Sequence, residues 1–168
     1  MLVGAFFGAA GSIYFDSPWL GLVIGAMAGA LLALIHAIAT VWLGADQIVS
    51  GTAINLFAIG LTGYLLFTTF GVHGSSPLAP KLPILGSGVL RASPLTYFSL
   101  FLVPFTWFLI YRSRWGLRVR AVGESPSTIR AAGISVTRLR FLAVVLSGVL
   151  AGLGGAHLSL GDLSQFVE

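Results

Sequence analysis

Four long apolar runs, each closed by a polar or turn-forming stretch, set the pattern of this chain: Leu20–Trp42, Ile48–Phe70, Leu95–Tyr111 and Leu139–Leu160. An α-helix crosses the hydrocarbon of a bilayer with about 20 apolar residues, range roughly 17–25. The third run is the shortest, and Ser93–Pro94 before it reads as an N-cap and first helical residue. A fifth run, Leu2–Phe15, is apolar but short, and is expected to be part of a span. The runs are continuous and do not alternate in segments of about ten residues, which excludes a membrane β-barrel. The expected fold is an all-α integral membrane protein, a single polytopic helix bundle with about five transmembrane segments over 2–15, 20–42, 48–70, 95–111 and 139–160. Between the last two lies a polar loop, 112–138, with one short helix.

Composition strengthens that reading. Of the 168 residues 57% are apolar and 8% charged, whereas soluble domains carry about a quarter charged residues. Glycine is abundant, at 22 residues, and part of it is periodic. Gly21, Gly25 and Gly29 recur every fourth residue and continue into Ala33 and Ala37; Gly4 with Gly8 and Gly148 with Gly152 repeat the spacing. Such stripes let two helix backbones approach closely. They fit general packing within the bundle or a seam between two copies.

Charge gives orientation. Of nine Lys and Arg, seven lie between Arg112 and Arg140, opposed there by Glu124 alone. Short loops rich in these residues stay cytoplasmic, so 112–138 is expected in the cytosol. Gly71–Thr96, Asp16–Trp19 and Leu43–Gln47 then fall outside, outside and inside. The outer loop 71–96 holds Lys81, Arg91 and four of the seven prolines, and is expected to be irregular and partly ordered. The net charge of +4 thus reports membrane orientation and implies no nucleic acid. Met1 leads directly into an apolar run without a basic n-region, so no secretory leader is expected.

Catalytic chemistry is not indicated. There is no cysteine, no phosphate-binding or dinucleotide glycine motif, and no histidine pair at metal-binding spacing; neither an enzyme, a metal nor a cofactor is expected. His36, inside a span, is a functional candidate because ionisable groups there are expensive; a neutral ring bonded to a neighbouring carbonyl is the plainer alternative. Thr52, Asn55 and Thr62 form a polar stripe along the second long run. An amide in hydrocarbon needs partners, so Asn55 either holds helices together or lines a solute path.

The polar loop carries VGESPSTIRAAGI, Val122–Ile134. Ser125 and Pro126 read as N-cap and first residue of a helix, continuing through Ser127 to Ala132, with Gly133 as a left-handed stop. A helix of about seven residues, near 10 Å long, is unstable alone in water. Its small face, Ile129 with Ala131 and Ala132, would suit a complementary groove; its arginines would equally suit anionic headgroups at a membrane surface.

The run WGLRVRAVGESPSTIRAAGISVTRLRFLAVVLSGVLAGLGGAHLSL, Trp115–Leu160, resembles the cytoplasmic loop and following helix of bacterial ABC-transporter permeases for simple sugars, nucleosides and branched-chain amino acids. That family's pattern is approximately GLRLRAVGENP, then AAGI, then a basic residue and LSGxLAGLAG. DQIVSGTAINLFAIGLTGYL, Asp46–Leu65, is similar to a helix of the sugar and nucleoside branch, and MLVGAFFGAA to the stretch after the family's G-x-E-G-x-M-L motif. Asp46 and Ser125 each stand where Asn is common. Complete members carry further helices on both sides, so the chain is expected to be a fragment.

The resemblance implies a non-enzymatic permease subunit in a bacterial or archaeal inner membrane. Its expected partners are an ABC ATPase subunit, a second permease subunit (the same or related), an extracytoplasmic solute-binding protein and membrane lipid. It implies that Glu124–Gly133 is the coupling helix docked on the ATPase, with Gly123, Glu124, Ser125, Pro126, Arg130, Ala131, Ala132 and Gly133 at the contact. His36, Thr52, Asn55 and Thr62 are the expected solute-path residues. The expected cargo is a simple sugar or nucleoside, with a branched-chain amino acid permease of the same family as one alternative and a truncated scaffold without transport as the alternative from another class.

Overall fold

The computed structural model describes residues 1–83 and 93–167. Seven α-helices follow one another over them: α1 (Leu2–Phe15), α2 (Pro18–Ala37), α3 (Gln47–Phe70), α4 (Pro94–Arg112), α5 (Arg114–Glu124), α6 (Pro126–Ala131) and α7 (Val136–His157). Their starts are set locally. Pro18 opens α2, and the Asp46 carboxylate caps α3 by accepting from the amides of Ile48 and Val49 at 2.7 and 3.1 Å. The Ser93 hydroxyl caps α4 by accepting from Thr96 N at 3.3 Å, with Pro94 next in line as the sequence predicts. Both α2 and α7 widen at their ends into a π-helical turn, Ile38–Trp42 and Leu158–Leu163. Among the described residues, extended pairing is limited to one bridge between Ser75 and Val167. The protein is therefore all-α, and Pro18–Trp42, Gln47–Phe70, Pro94–Arg112 and Val136–Gly161 are long and apolar enough to cross a membrane. Large side chains such as Leu31, Phe57, Leu100 and Phe101 lie exposed, which lipid tolerates because its tails are as apolar as leucine.

The chain divides into two compact units, one of Met1–Pro83 with the chain from Val144 onward, the other Ile84–Ala143. In the first, glycine sets the packing. A Cβ added at Gly25 would lie 2.6 Å from the Gly4 carbonyl oxygen, and one at Gly152 would lie 2.5 Å from that of Gly25. Gly29 stands in the same relation to Gly148 O at 2.5 Å, and Gly4 to Gly152 O at 2.6 Å. The three small-residue stripes of α1, α2 and α7 therefore meet one another, and no side chain fits between the backbones. That resolves the choice left by the sequence: the stripes serve packing within this chain, and their close faces are occupied.

Two segments take a more definite form than expected. Prolines 77, 80 and 83 recur every third residue, the period of a polyproline II helix, and the residues just before them, Ser76, Ala79 and Leu82, are buried. Their amides donate to the carbonyls of Phe166, Ser164 and Leu160 at 2.9, 2.8 and 3.2 Å. The Ser12 hydroxyl also donates to Pro80 O at 3.3 Å. The first part of the expected irregular, partly ordered loop is thus an ordered strap, in which the residue before each proline turns its amide to the same side. Arg91, expected in the same loop, lies outside the described residues.

In the second unit, the expected loop 112–138 contains the additional helix α5. Its Trp115, Val119 and Val122 are spaced to share one helical face. Val122 packs with Val136 and Leu139 of α7, and Trp115, Val119, Ile129 and Ile134 close around them. Ile129 therefore faces inward, which corrects its expected place on the outer docking face. The short helix α6 also finds its stabilising contacts within the chain, so marginal length alone does not demand a partner.

The glycine seam is directly testable. Gly25→Leu should destabilise the folded chain by about 1–3 kcal/mol through overpacking. Gly60→Leu, where nothing lies within 4 Å of a new Cβ, should change stability by less than about 0.5 kcal/mol. Reversible unfolding in mixed micelles checks both.

Candidate functional site

Two places gather the candidate residues, one in each unit. The first surrounds α6. Helix α5 ends at Glu124, and Ser125 turns the chain with extended torsions (φ −146°, ψ 91°) before Pro126 opens α6. Glu124 is thus the last residue of the preceding helix, a correction to its expected place in the coupling helix. Ser125 occupies the N-cap position but does not cap with its side chain. Its hydroxyl pairs with that of Thr128 at 2.7 Å and so is not spent on an α6 amide.

The other end of α6 is as the sequence predicts. Gly133 has φ 76°, its amide donates to Arg130 O at 3.0 Å, and Ile134 N donates to Ile129 O at 3.2 Å. This is a Schellman closure, normally accompanied by an apolar contact between the residues flanking the stop. Here Ile129 and Ile134 belong to the same apolar cluster. Fixed from inside, α6 leaves Arg130, Ala131, Ala132 and Gly133 exposed, with Gly123 and Glu124 exposed beside them. The outcome is a small-residue ridge with one cation and one anion at its rim.

The second place is a cavity of about 320 Å³ bounded by residues of α1, α2, α3 and α7. Its walls are largely apolar, with Leu32, Ile54 and Val144, while His36, Asn55 and Ser147 bring polar groups to it. His36 Nδ1 lies 3.0 Å from Ser50 Oγ, linking the end of α2 to the first turn of α3. The partner is a hydroxyl, where a backbone carbonyl was the expected alternative. Thr40 Oγ1 donates to the His36 carbonyl at 2.8 Å, at the point where α2 widens. π-Helical turns of this kind are frequent at functional sites.

The polar stripe of α3 is divided by the structure. Asn55 reaches the cavity beside His36, but Thr52 and Thr62 are not among the residues that bound it. Each threonine hydroxyl turns back on its own helix, Thr52 to Ile48 O at 2.5 Å and Thr62 to Ala58 O at 2.8 Å. Thr62 is also fully buried, at 0% exposure. Sequence reasoning missed Ser147 and Ser50. Ser50 sits one residue before Gly51–Thr52 in the same run, but only the fold brings it to His36.

Comparison with known proteins agrees with this architecture. The family model described as the permease component of the branched-chain amino acid transport system matches residues 1–166. A nucleoside ABC transporter permease protein of Lactococcus lactis subsp. cremoris is 40% identical over 83% of this chain and 48% of its own length. A protein of Haloferax volcanii, provisionally named a glucose ABC transporter permease, is 36% identical over 95% of this chain and 52% of its own. A guanosine ABC transporter permease protein of Bacillus subtilis is 35% identical over 92% of this chain and 54% of its own. The chain therefore spans about half the length of these curated relatives. No solved structure matches it. With the family model covering residues 1–166 and four helices able to cross a bilayer, the chain is a multi-pass membrane protein that belongs to the permease-component family of the branched-chain amino acid transport systems, among relatives named ABC transporter permeases.

Proposed function

We propose that this chain forms part of the membrane-spanning permease of an ATP-driven importer for a nucleoside or simple sugar. The reading assigns ATP hydrolysis to a separate ATPase subunit, pairs the chain with a second permease subunit, and has a solute-binding protein deliver the cargo. Its setting would be the inner membrane of a bacterial or archaeal cell, with residues 112–138 facing the cytosol. Family membership, joined to relatives named for nucleosides, guanosine and glucose, is the observation that carries it. The description of the family itself favours a second cargo, a branched-chain amino acid. Competition of radiolabelled uptake by unlabelled nucleosides, sugars and leucine separates the two.

The coupling step follows from the second unit. Exposed Ala131, Ala132 and Gly133 allow a partner backbone to come close, and Glu124 and Arg130 offer charge at the rim. Behind them Ile129 and Ile134 share one apolar cluster with Val136 and Leu139. A displacement imposed on the ridge would therefore move the first turn of α7 with it, because close-packed apolar contacts transmit motion instead of absorbing it. In the first unit, a cavity of about 320 Å³ lies in the size range of small-ligand pockets. Asn55 and His36 would there hydrogen-bond the hydroxyl or ring-nitrogen groups of a passing solute.

Each part has its own test. Ala132→Trp, at an exposed position, should leave membrane insertion intact and weaken co-purification of the ATPase by at least about 30-fold, the loss of about 2 kcal/mol typical of a central contact. Retention of the complex would remove the docking role. Asn55→Leu should raise the half-saturating solute concentration for uptake about tenfold, the scale of one lost hydrogen bond, with assembly unchanged. Unaltered uptake would reduce Asn55 to a packing residue.

A further inference from the structure

The arginines at the α4–α5 corner are not used by the docking ridge. Arg112, Arg114, Arg118 and Arg120 fall within nine residues, without a lysine or an acid among them, and all four are exposed. The corner itself is rigid. Helix α4 ends at Arg112 and α5 begins at Arg114, so Ser113 alone makes the turn. Its hydroxyl donates to the Leu109 carbonyl and accepts from Gly116 N at 3.0 Å. Gly116 is pressed against the end of α4, where a Cβ would fall on the carbonyl oxygens of Leu109 and Ile110. Farther along, the Arg120 guanidinium lies 5.1 Å above the Tyr111 ring. Helix α5 therefore remains beside the last turn of α4 from Gly116 to Arg120.

That last turn carries a depth marker. Trp107 and Tyr111, 56% and 57% exposed, face each other with ring centroids 5.9 Å apart. Amphipathic rings at the end of an apolar span settle at the headgroup level. Helix α5 is thereby held at the same level. One of its faces is consumed by Trp115, Val119 and Val122 in the apolar cluster. Elsewhere on it Leu117 stands 61% exposed, with Arg114 and Arg118 to one side and Arg120 to the other along the helix. An apolar residue among cations is the arrangement by which a helix lies in a bilayer interface, and guanidinium forks match phosphate oxygens in pairs.

We propose that the α4–α5 corner, with Arg114, Arg118 and Arg120 around Leu117, binds the phosphate of an anionic phospholipid. The acyl region of that lipid would cover Leu117. A free phosphate ion would leave Leu117 uncovered, and charge needed for orientation alone would not require Arg120 to be held over Tyr111. The inference does not depend on transport. It stands or falls separately from the docking of α6.

The test is native mass spectrometry of the intact chain in detergent, titrated with phosphatidylglycerol or phosphatidylcholine. The unaltered chain should retain phosphatidylglycerol in preference. Each surface arginine contributes about fivefold to such binding, so the triple variant Arg114→Gln, Arg118→Gln, Arg120→Gln should bind it about a hundredfold more weakly. The charge-matched control Arg130→Gln, Arg138→Gln, Arg140→Gln should lose much less. Leu117→Gln, which leaves the charge untouched, should also weaken retention, and inorganic phosphate at millimolar concentration should not displace the lipid. Equal losses in the two triple variants, no loss in the corner variant, or full displacement by inorganic phosphate would each overturn the proposal. So would a corner variant that keeps its lipid but no longer co-purifies with the ATPase, since the corner would then be a protein surface.

Discussion

The fold depends on how closely three helix backbones can approach. In a bilayer the tails solvate apolar side chains as well as the protein does, so burial of leucine gives helices little reason to associate. What remains is van der Waals contact, and that needs short distances. Gly4, Gly25 and Gly152 meet mutually on α1, α2 and α7, and Gly29 meets Gly148 one turn farther on, with carbonyl oxygens where a Cβ would stand. The cavity of the first unit is bounded by these three helices together with α3. His36 reaches it from α2, inside the seam, and Asn55 from α3, outside it. The seam thus sets the spacing of three of the cavity's four helices.

The second unit achieves rigidity by another route. Between α5 and α7, Val122, Val136 and Leu139 form a small apolar core. Helix α6 has only six residues and depends on that core and on the Schellman closure at Gly133. Anchoring from the inside is what leaves Ala131 and Ala132 outward. The proposed docking ridge is thereby fixed to the first turn of α7. At the neighbouring corner, Ser113 and Gly116 keep α5 beside Tyr111.

Much of this was legible in the sequence because each signal had a single physical meaning. Ser93–Pro94 marks a helix start, Gly133 a helix stop, and glycine every fourth residue a close-packed face. The signals that misled were those with more than one use. Ile129 reads as part of an outer face when α6 is taken alone; the helix α5 that covers it is marked only by the period of Trp115, Val119 and Val122. Thr52 and Thr62 shared a stripe with Asn55, but a threonine can satisfy itself on the preceding turn, and both do. The prolines at 77, 80 and 83 indicate an irregular, partly ordered loop by their number, while their spacing of three marks the strap within it. The link between His36 and Ser50 could not have been read at all, since it requires knowing how α2 meets α3.

We propose a division of surfaces, with the Ala131–Gly133 ridge meeting a motor protein and the α5 corner meeting the membrane. Site-specific photocrosslinking tests both at once, with a photoreactive residue placed at Ala132 or at Leu117 in membranes containing the ATPase. The probe at Ala132 should capture the ATPase, with a yield that changes when nucleotide is added, and the probe at Leu117 should capture phospholipid. Capture of the ATPase from Leu117 and not from Ala132 would contradict this division.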